Sequence, residues 1–258
     1  MTDAVRIAVF GARGRMGQAL LDAASERIDL EVVAALVRAG NSPADAGFRS
    51  THIPCLATTL SPEANAQVLV DFSGAAGFDS AMELALRHKL ALVSGSTGLS
   101  EQQSASLQAA SERVPVLWAA NFSLGVAVLA HVAAQASRLL PDWDCEIFEA
   151  HHRNKQDAPS GTALMLGERV RESRGANESL LSLDRNGLRP SQGIGFSVMR
   201  AGDIIGEHEV HLVGAGERIE LVHRAMDRRL FARGALVAAR WLCGREPGRY
   251  TLEAVLGL

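Results

Sequence analysis

The first half of the chain alternates short apolar runs with longer amphipathic stretches, and this alternation limits the fold more than any other feature. The apolar runs lie at residues 5–10, 31–36, 67–72, 90–94 and 114–119, and the helical stretches lie at 14–25, 77–88 and 100–112. Ser100 and Gln103 predict a capping box at the start of the third helix. Strands that alternate with helices form a parallel sheet with helices on both faces. The sequence therefore predicts an α/β fold for this half.

The pattern changes after residue 121. A long apolar helix at 124–140 is followed by a strand at 145–151 and by a helix that begins at Ser160. Three later runs alternate with period two, at residues 195–200, 208–213 and 218–223, and the last two are joined by a glycine-rich turn at 214–216. Such strands form hairpins, which do not belong to a doubly wound parallel unit. We therefore predict a second, α+β domain with a mixed sheet, followed by a final helix at 228–243.

Composition and charge exclude several classes of protein. The chain has 26 basic and 29 acidic residues, a net charge of −3, so it has no global positive field for nucleic acid or anionic membranes. It has no apolar run of the length that a membrane span needs, and its N-terminus does not resemble a secretory signal. Its three cysteines are far apart and form no CxxC pair, which favours a reduced compartment and no metal site. We expect a cytoplasmic protein that binds neither nucleic acid nor membrane.

Three glycines follow the first predicted strand and open the first predicted helix. Gly11, Gly14 and Gly17 have the spacing GxxGxxG rather than the usual GxGxxG, and Arg13 and Arg15 lie between them. Glycines at this position allow a tight turn, and the free amides at the helix start bind a pyrophosphate. Tight packing without a ligand is the alternative. The placement between strand and helix favours a Rossmann-type dinucleotide-binding loop.

The end of the second strand indicates which dinucleotide is bound. An acidic residue at this point accepts hydrogen bonds from the ribose of NAD, whereas an arginine pairs with the 2′-phosphate of NADP. Here no acid is present and Arg38 follows the strand, which predicts a preference for NADPH. The alternative for Arg38 is a solvated surface charge. The loops at 94–98 and 119–123 follow later strands, and we expect them to line the nicotinamide half of the site.

The densest group of chemically active residues lies at 149–163. His151 and His152 are adjacent on a predicted strand, so they point to opposite faces and are poorly placed to share a metal ion. The amides of Gly161 and Thr162 open the next helix and can hold a carboxylate. Titratable groups beside a bound acid are what general acid–base catalysis requires. A buried structural histidine remains the alternative for His151.

Lysine is rare in this chain. Of the 26 basic residues only Lys89 and Lys155 are lysines, and the rest are arginines. Arginine keeps its proton, whereas lysine can release one. A lysine inside the 149–163 group therefore indicates proton donation by Lys155.

Several motifs together resemble one family. The loop at 11–17, Asp71-Phe72-Ser73, the segments at 95–98 and 120–123, the 151–163 block and residues 200–208 are similar to those of the dihydrodipicolinate reductases, also called 4-hydroxy-tetrahydrodipicolinate reductases. The resemblance covers essentially the whole chain. It implies hydride transfer from NADPH or NADH to a cyclic dicarboxylate in the diaminopimelate pathway to lysine, giving tetrahydrodipicolinate and water.

The resemblance also implies roles for individual residues. His151 matches the acid/base histidine and Lys155 the proton donor. Expected substrate contacts are His152, Ser160, Gly161 and Thr162. Expected cofactor contacts are Gly11, Ala12, Arg13, Gly14, Arg15, Met16, Arg38, Gly95, Ser96, Thr97, Ala119, Ala120, Asn121 and Phe122.

At the level of the whole chain, the resemblance implies a homotetramer built through the sheet of the second domain. It also implies that the C-terminal helix and tail return to the nucleotide domain, so we expect a dinucleotide-binding domain at 1–121 and 228–258 and a substrate-binding and oligomerisation domain at 122–227. Val37 stands where many relatives have an acid, which weakens the expectation of NADH use. Two alternatives remain: a related two-domain reductase of another small acid, and a non-catalytic protein that senses NADP.

Overall fold

The computed structural model describes residues 4–37, 56–57, 59–175, 181–182 and 186–258. Arg38 and Cys55 lie outside these residues. The strands are β1 Val5–Phe10, β2 Leu30–Leu36, β3 Leu56–Ala57, β4 Val68–Asp71, β5 Ala91–Ser94, β6 Pro115–Trp118, β7 Asp144–His151, β8 Leu181–Ser182, β9 Ile194–Arg200, β10 Glu207–Val213, β11 Arg218–Arg224 and β12 Gly248–Tyr250. The helices are α1 Arg15–Ser25, α2 Ala75–His88, α3 Glu101–Ser111, α4 Leu124–Leu139, α5 Gly161–Ser173, α6 Arg229–Leu242 and α7 Leu252–Leu256.

The chain forms two compact units. The first comprises Met1–Ser123 together with Arg229–Leu258, and the second is Leu124–Arg228. Within the described residues, no helix is long and apolar enough to cross a bilayer.

The first unit contains a parallel sheet of seven described strands in the order β12-β6-β5-β4-β1-β2-β3. Every residue of β4 and β5 is buried, as expected for strands that are covered on both faces. Helices α2 and α3 cover one face, where Phe78 and Leu107 join the core. Helices α1 and α6 pack against each other, and α6 also packs on the central strands. This arrangement brings the carboxyl ends of β1, β4, β5 and β6 to one edge of the sheet.

The second unit contains a mixed sheet of five described strands in the order β11-β10-β7-β9-β8. β10 is antiparallel to β7 and β11, whereas β9 is parallel to β7 and β8. Helices α4 and α5 cover one face, where Leu129 and Leu166 pack on Ile147 and Val210. The other face is covered by no described helix of this unit.

The predicted fold class is confirmed. Each predicted helix and strand is present, with ends that differ from the prediction by at most two residues. The capping box of Ser100 and Gln103 is formed, and β10 and β11 form the expected hairpin. Helix α2 begins two residues early, because Gly74 precedes it at a φ of 73°, in the left-handed region that favours glycine. The short elements β3, β8, β12 and α7 were not predicted. β12 pairs with β6, so the end of the chain completes the first sheet.

Candidate active site

The glycine loop forms the sharp turn between β1 and α1. Gly11 has a φ of +77°, and a Cβ atom there would lie only 3.2 Å from the Cα of Ser73. A Cβ on Gly17 would overlap the carbonyl oxygen of Gly11, so glycine is needed for the helix to pack this closely on the loop. Gly14 caps α1 without a side-chain hydrogen bond, and the first turn contains no acid. This helix start therefore suits an anionic ligand.

A cleft of about 410 Å³ lies beside this loop. The residues that line it include Gly11, Arg13, Gly14, Val37 and Ser73. Its volume is in the usual range for small-molecule sites, and it combines a positive charge with an apolar wall. The residues present thus fit part of a dinucleotide.

Asp71, at the end of β4, fixes the neighbouring loops. Its side chain is completely buried, and one oxygen accepts hydrogen bonds from the amide and hydroxyl of Ser73, at 2.9 and 2.6 Å. The other oxygen accepts from the hydroxyls of Ser94 and Ser96, both at 2.7 Å. The Ser96 hydroxyl oxygen in turn accepts from the amide of Gly74. One carboxylate therefore connects the loops that follow β4 and β5.

The later cofactor candidates lie at the same edge of the sheet. A Cβ on Gly95 would collide with the ring of Phe72, which explains the glycine at this position. Ser96 is buried in the Asp71 network, whereas Thr97 is exposed. After β6, Ala119, Ala120 and Asn121 are at least partly exposed, but Phe122 is buried with its ring 5.5 Å from that of Phe72. The first unit thus brings together the predicted cofactor residues that are described.

In the second unit, His151 ends β7 and is paired with Glu149. The His151 Nδ1 atom lies 2.6 Å from a Glu149 carboxylate oxygen. Burial lowers the pKa of His151, and the Glu149 carboxylate opposes this shift only in part. Burial alone would raise the pKa of Glu149, but hydrogen bonds from Arg200, His151 and Ser160 outweigh it and hold that pKa below its usual value.

His208 packs edge-on against His151, with ring centroids 5.3 Å apart. Its Nε2 atom lies 3.2 Å from the hydroxyl of Ser160. Burial lowers the pKa of His208 to about 4. This second histidine is therefore neutral at neutral pH.

Lys155 lies in the loop between β7 and α5. Its ammonium donates to both carboxylate oxygens of Asp157, at 2.8 Å each, and its backbone amide donates to the carbonyl of His152. Arg200 donates to the backbone carbonyl of Asp157 at 2.6 Å. Lys155 is partly buried, and these hydrogen bonds hold its ammonium beside Asp157.

The start of α5 forms the candidate site for an anion. Ser160 is the N-cap, and its buried hydroxyl accepts a hydrogen bond from the amide of Ala163. Gly161 is exposed, a Cβ there would touch nothing, and Thr162 is partly buried. His152 is also partly buried. The described residues contain no group of three or more His, Cys, Asp or Glu side chains that could hold a metal ion.

Comparison with known proteins identifies the family. The family models described as "Dihydrodipicolinate reductase, N-terminus" and "Dihydrodipicolinate reductase, C-terminus" match residues 5–122 and 125–256. The chain belongs to the dihydrodipicolinate reductase family. The 4-hydroxy-tetrahydrodipicolinate reductase of Stenotrophomonas maltophilia (strain K279a) is 46% identical over 98% of both chains. The enzyme of the same name from Xanthomonas euvesicatoria pv. vesicatoria (strain 85-10) is 47% identical over the same share.

A solved structure shares the fold. It is described as a dipicolinate-bound dihydrodipicolinate reductase from Paenisporosarcina sp. TG-14, with a TM-score of 0.80, 23% identity, and coverage of 96% of this chain and 97% of that one. The family models and the curated relatives confirm the family that the motifs predict. The protein is an oxidoreductase, as predicted.

Sequence reasoning missed two carboxylates in this reductase. Asp71 and Glu149 each organise a group of predicted site residues, and the sequence pattern predicts a role for neither. For Asp71 the available signal was an acid at the end of a strand whose other residues are apolar. An acid there that does not reach solvent requires several donors. Strand β7 contains three acids, so its sequence does not single out Glu149.

Proposed function

We propose that this reductase converts 4-hydroxy-tetrahydrodipicolinate to tetrahydrodipicolinate and water, with NADPH as the preferred donor and NADH as the second. Its first unit would bind the nucleotide and its second the dicarboxylate. The observation that carries the proposal is the grouping of His151, Lys155 and the start of α5 around the Glu149 carboxylate. The names of the curated relatives and the dipicolinate in the related structure support the substrate class.

The reaction replaces a ring hydroxyl by hydrogen, so a hydride and a proton enter and water leaves. When bound, the nicotinamide nucleotide supplies the hydride. The Lys155 ammonium provides a proton, and the His151 ring accepts and returns one. The amides of Gly161 and Thr162 hold a substrate carboxylate at the positive end of α5, with His152 and Ser160 beside them.

The cofactor assignments remain part of this proposal. Residues 11–16 would hold the pyrophosphate, Arg38 the 2′-phosphate, and residues 95–97 and 119–122 the nicotinamide end. The turn at Gly11, the uncapped start of α1 and the neighbouring cleft support the first assignment.

Replacing Lys155 by arginine tests its role. Lys155→Arg keeps the positive charge but removes the proton that can be released, so kcat should fall by about 100-fold or more while the substrate KM changes little. The readout is NADPH oxidation with freshly generated substrate, which also separates this reductase from one of another small acid and from a non-catalytic NADP sensor. Lys89→Arg, at the exposed end of α2, is the matched control and should retain full activity. An unchanged kcat in Lys155→Arg would refute the role.

Cofactor preference is tested by comparing kcat/KM for NADPH and NADH. We expect NADPH to be favoured, and Arg38→Ala should reduce the preference by about tenfold or more, because a charge-assisted hydrogen bond to the 2′-phosphate is lost. Arg113→Ala, on the exposed surface after α3, is the control. Equal or better use of NADH by the unmodified enzyme would contradict this part of the proposal.

We further propose that the protein is a homotetramer that assembles through the uncovered face of the second sheet. Exposed apolar side chains on this face, Met199, Val213 and Val222, support an interface with other copies of the chain. The cytoplasmic location expected from the sequence stays a prediction.

A further inference from the structure

The Glu149 carboxylate lies at the centre of the acid–base group. Its side chain is 1% exposed, and each of its oxygens accepts two hydrogen bonds. One oxygen accepts from His151 Nδ1 at 2.6 Å and from Arg200 Nη1 at 2.8 Å. The other accepts from Arg200 Nη2 at 2.7 Å and from the Ser160 amide at 2.9 Å. These four residues are called the Glu149 cluster below.

The Glu149 cluster joins three elements of the second unit. Glu149 and His151 belong to β7, Arg200 ends β9, and Ser160 caps α5. Arg200 also donates to the carbonyl of Asp157, whose side chain holds the ammonium of Lys155. A single buried carboxylate thus contacts His151 directly and is connected to Lys155 and to the start of α5.

Hydrogen-bond chemistry determines which nitrogen of His151 carries the proton. An ionised carboxylate only accepts, so Nδ1 must donate, and neutral His151 keeps its lone pair on Nε2. A Cβ on buried Gly206 would lie 3.1 Å from Nε2, so glycine leaves space beside this nitrogen. The neighbouring His208 is neutral at neutral pH and adds no competing charge.

We propose that Glu149 is a positioning residue that holds His151 as the Nδ1–H tautomer, so that Nε2 is the atom that takes and returns the proton. Through the same carboxylate, Glu149 aligns the start of α5 with His151. This inference rests on the proposed acid–base role of His151.

The first test uses the unmodified enzyme. NMR of isotope-labelled histidine side chains reports which ring nitrogen is protonated, and the His151 signal is assigned by its absence in His151→Gln. We expect the Nδ1–H tautomer near neutral pH. The Nε2–H tautomer would overturn the proposal. The tautomer is measured without catalysis, so this test decides the inference whether or not the proposed function is correct. Failure of the proposed function would appear separately, as a lack of reductase activity in the unmodified enzyme.

The second test replaces the carboxylate by an amide. In Glu149→Gln the side-chain NH₂ group must face one of the four N–H groups that now donate to the carboxylate. Of these groups only the neutral His151 ring can become an acceptor, by carrying its proton on Nε2 instead of Nδ1. The proton should therefore move to Nε2, with a fall in kcat of about 100-fold or more. Because the Glu149 charge raises the pKa of His151, its loss should also move the acid limb of the pH profile of kcat/KM to lower pH.

Two further variants separate positioning from a general loss of stability. Glu149→Asp keeps an accept-only carboxylate, so it should retain the Nδ1–H tautomer and recover part of the activity. Glu168→Gln removes a carboxylate that pairs with Arg171 elsewhere on α5, and it should leave the tautomer, pH profile and activity unchanged. A Glu149→Gln enzyme that loses activity but keeps the Nδ1–H tautomer and the original pH profile would show a purely structural role and overturn the proposal.

Discussion

At the scale of single residues, burial determines how His208 responds to pH. Its side chain is 4% exposed, and His151, His223, Lys155 and Glu149 contribute the surrounding charges. Burial lowers its pKa from 6.5 to about 4. Between these values the unfolded chain binds a proton that the folded protein does not, so stability is lost as pH falls from the unfolded pKa toward the folded one.

We predict that this residue makes the enzyme acid-sensitive. Between about pH 7.5 and about pH 5, His208 should remove on the order of 2 kcal/mol from the free energy of unfolding. Urea unfolding of the unmodified protein and of His208→Gln at both pH values measures this contribution, because the variant should lack that part of the slope. His131→Gln, on partly exposed α4, is the control and should keep it. Equal slopes in all three proteins would contradict the prediction.

At the scale of elements, the loops after β4 and β5 depend on one another through Asp71. Asp71→Ala would leave two buried serine hydroxyls and an amide without their acceptor, at a cost of roughly 3 kcal/mol or more in the free energy of unfolding. We also expect a higher Kd for NADPH, because the loop after β4 lines the cleft through Phe72 and Ser73. Urea unfolding and a fluorescence titration with NADPH measure the two effects.

The control for this prediction is Asp22→Ala. Asp22 is an exposed acid on α1, and its removal should change neither quantity. A destabilised Asp71→Ala enzyme with an unchanged Kd would mean that Asp71 supports the fold but not the nucleotide site.

The length of an element decides whether the sequence predicts it. The longer strands and the helices of 11 or more residues show an apolar pattern and were predictable, whereas β3, β8, β12 and the five-residue α7 are too short to show one. Glycines at tight turns and the group around His151 were visible in the chain. The roles of Asp71 and Glu149 were not, because their partners lie up to 25 and 51 residues away and meet only in the folded protein.

At the scale of the whole molecule, the second sheet has one face that no described helix of its unit covers. Glu209, His211, Glu220 and Val222 share this face, because they pair directly across β10 and β11. Carboxylates on this face are paired with arginines within the chain: Arg224 pairs with Glu207 and Glu209, and Arg218 pairs with Glu220. Covering charges that are already paired costs less than covering isolated ones, so this face can be buried by a second copy.

We therefore predict that Val222→Arg breaks the proposed tetramer. Val222 is 41% exposed in the single chain, and an arginine there would place an unpaired charge in the proposed interface. Light scattering coupled to size exclusion should report a tetramer for the unmodified protein and a smaller species for the variant. Ile28→Arg, at a fully exposed position of the first unit, should leave the mass unchanged. A tetramer that survives Val222→Arg would place the interface elsewhere, and a monomeric unmodified protein would exclude the assembly altogether.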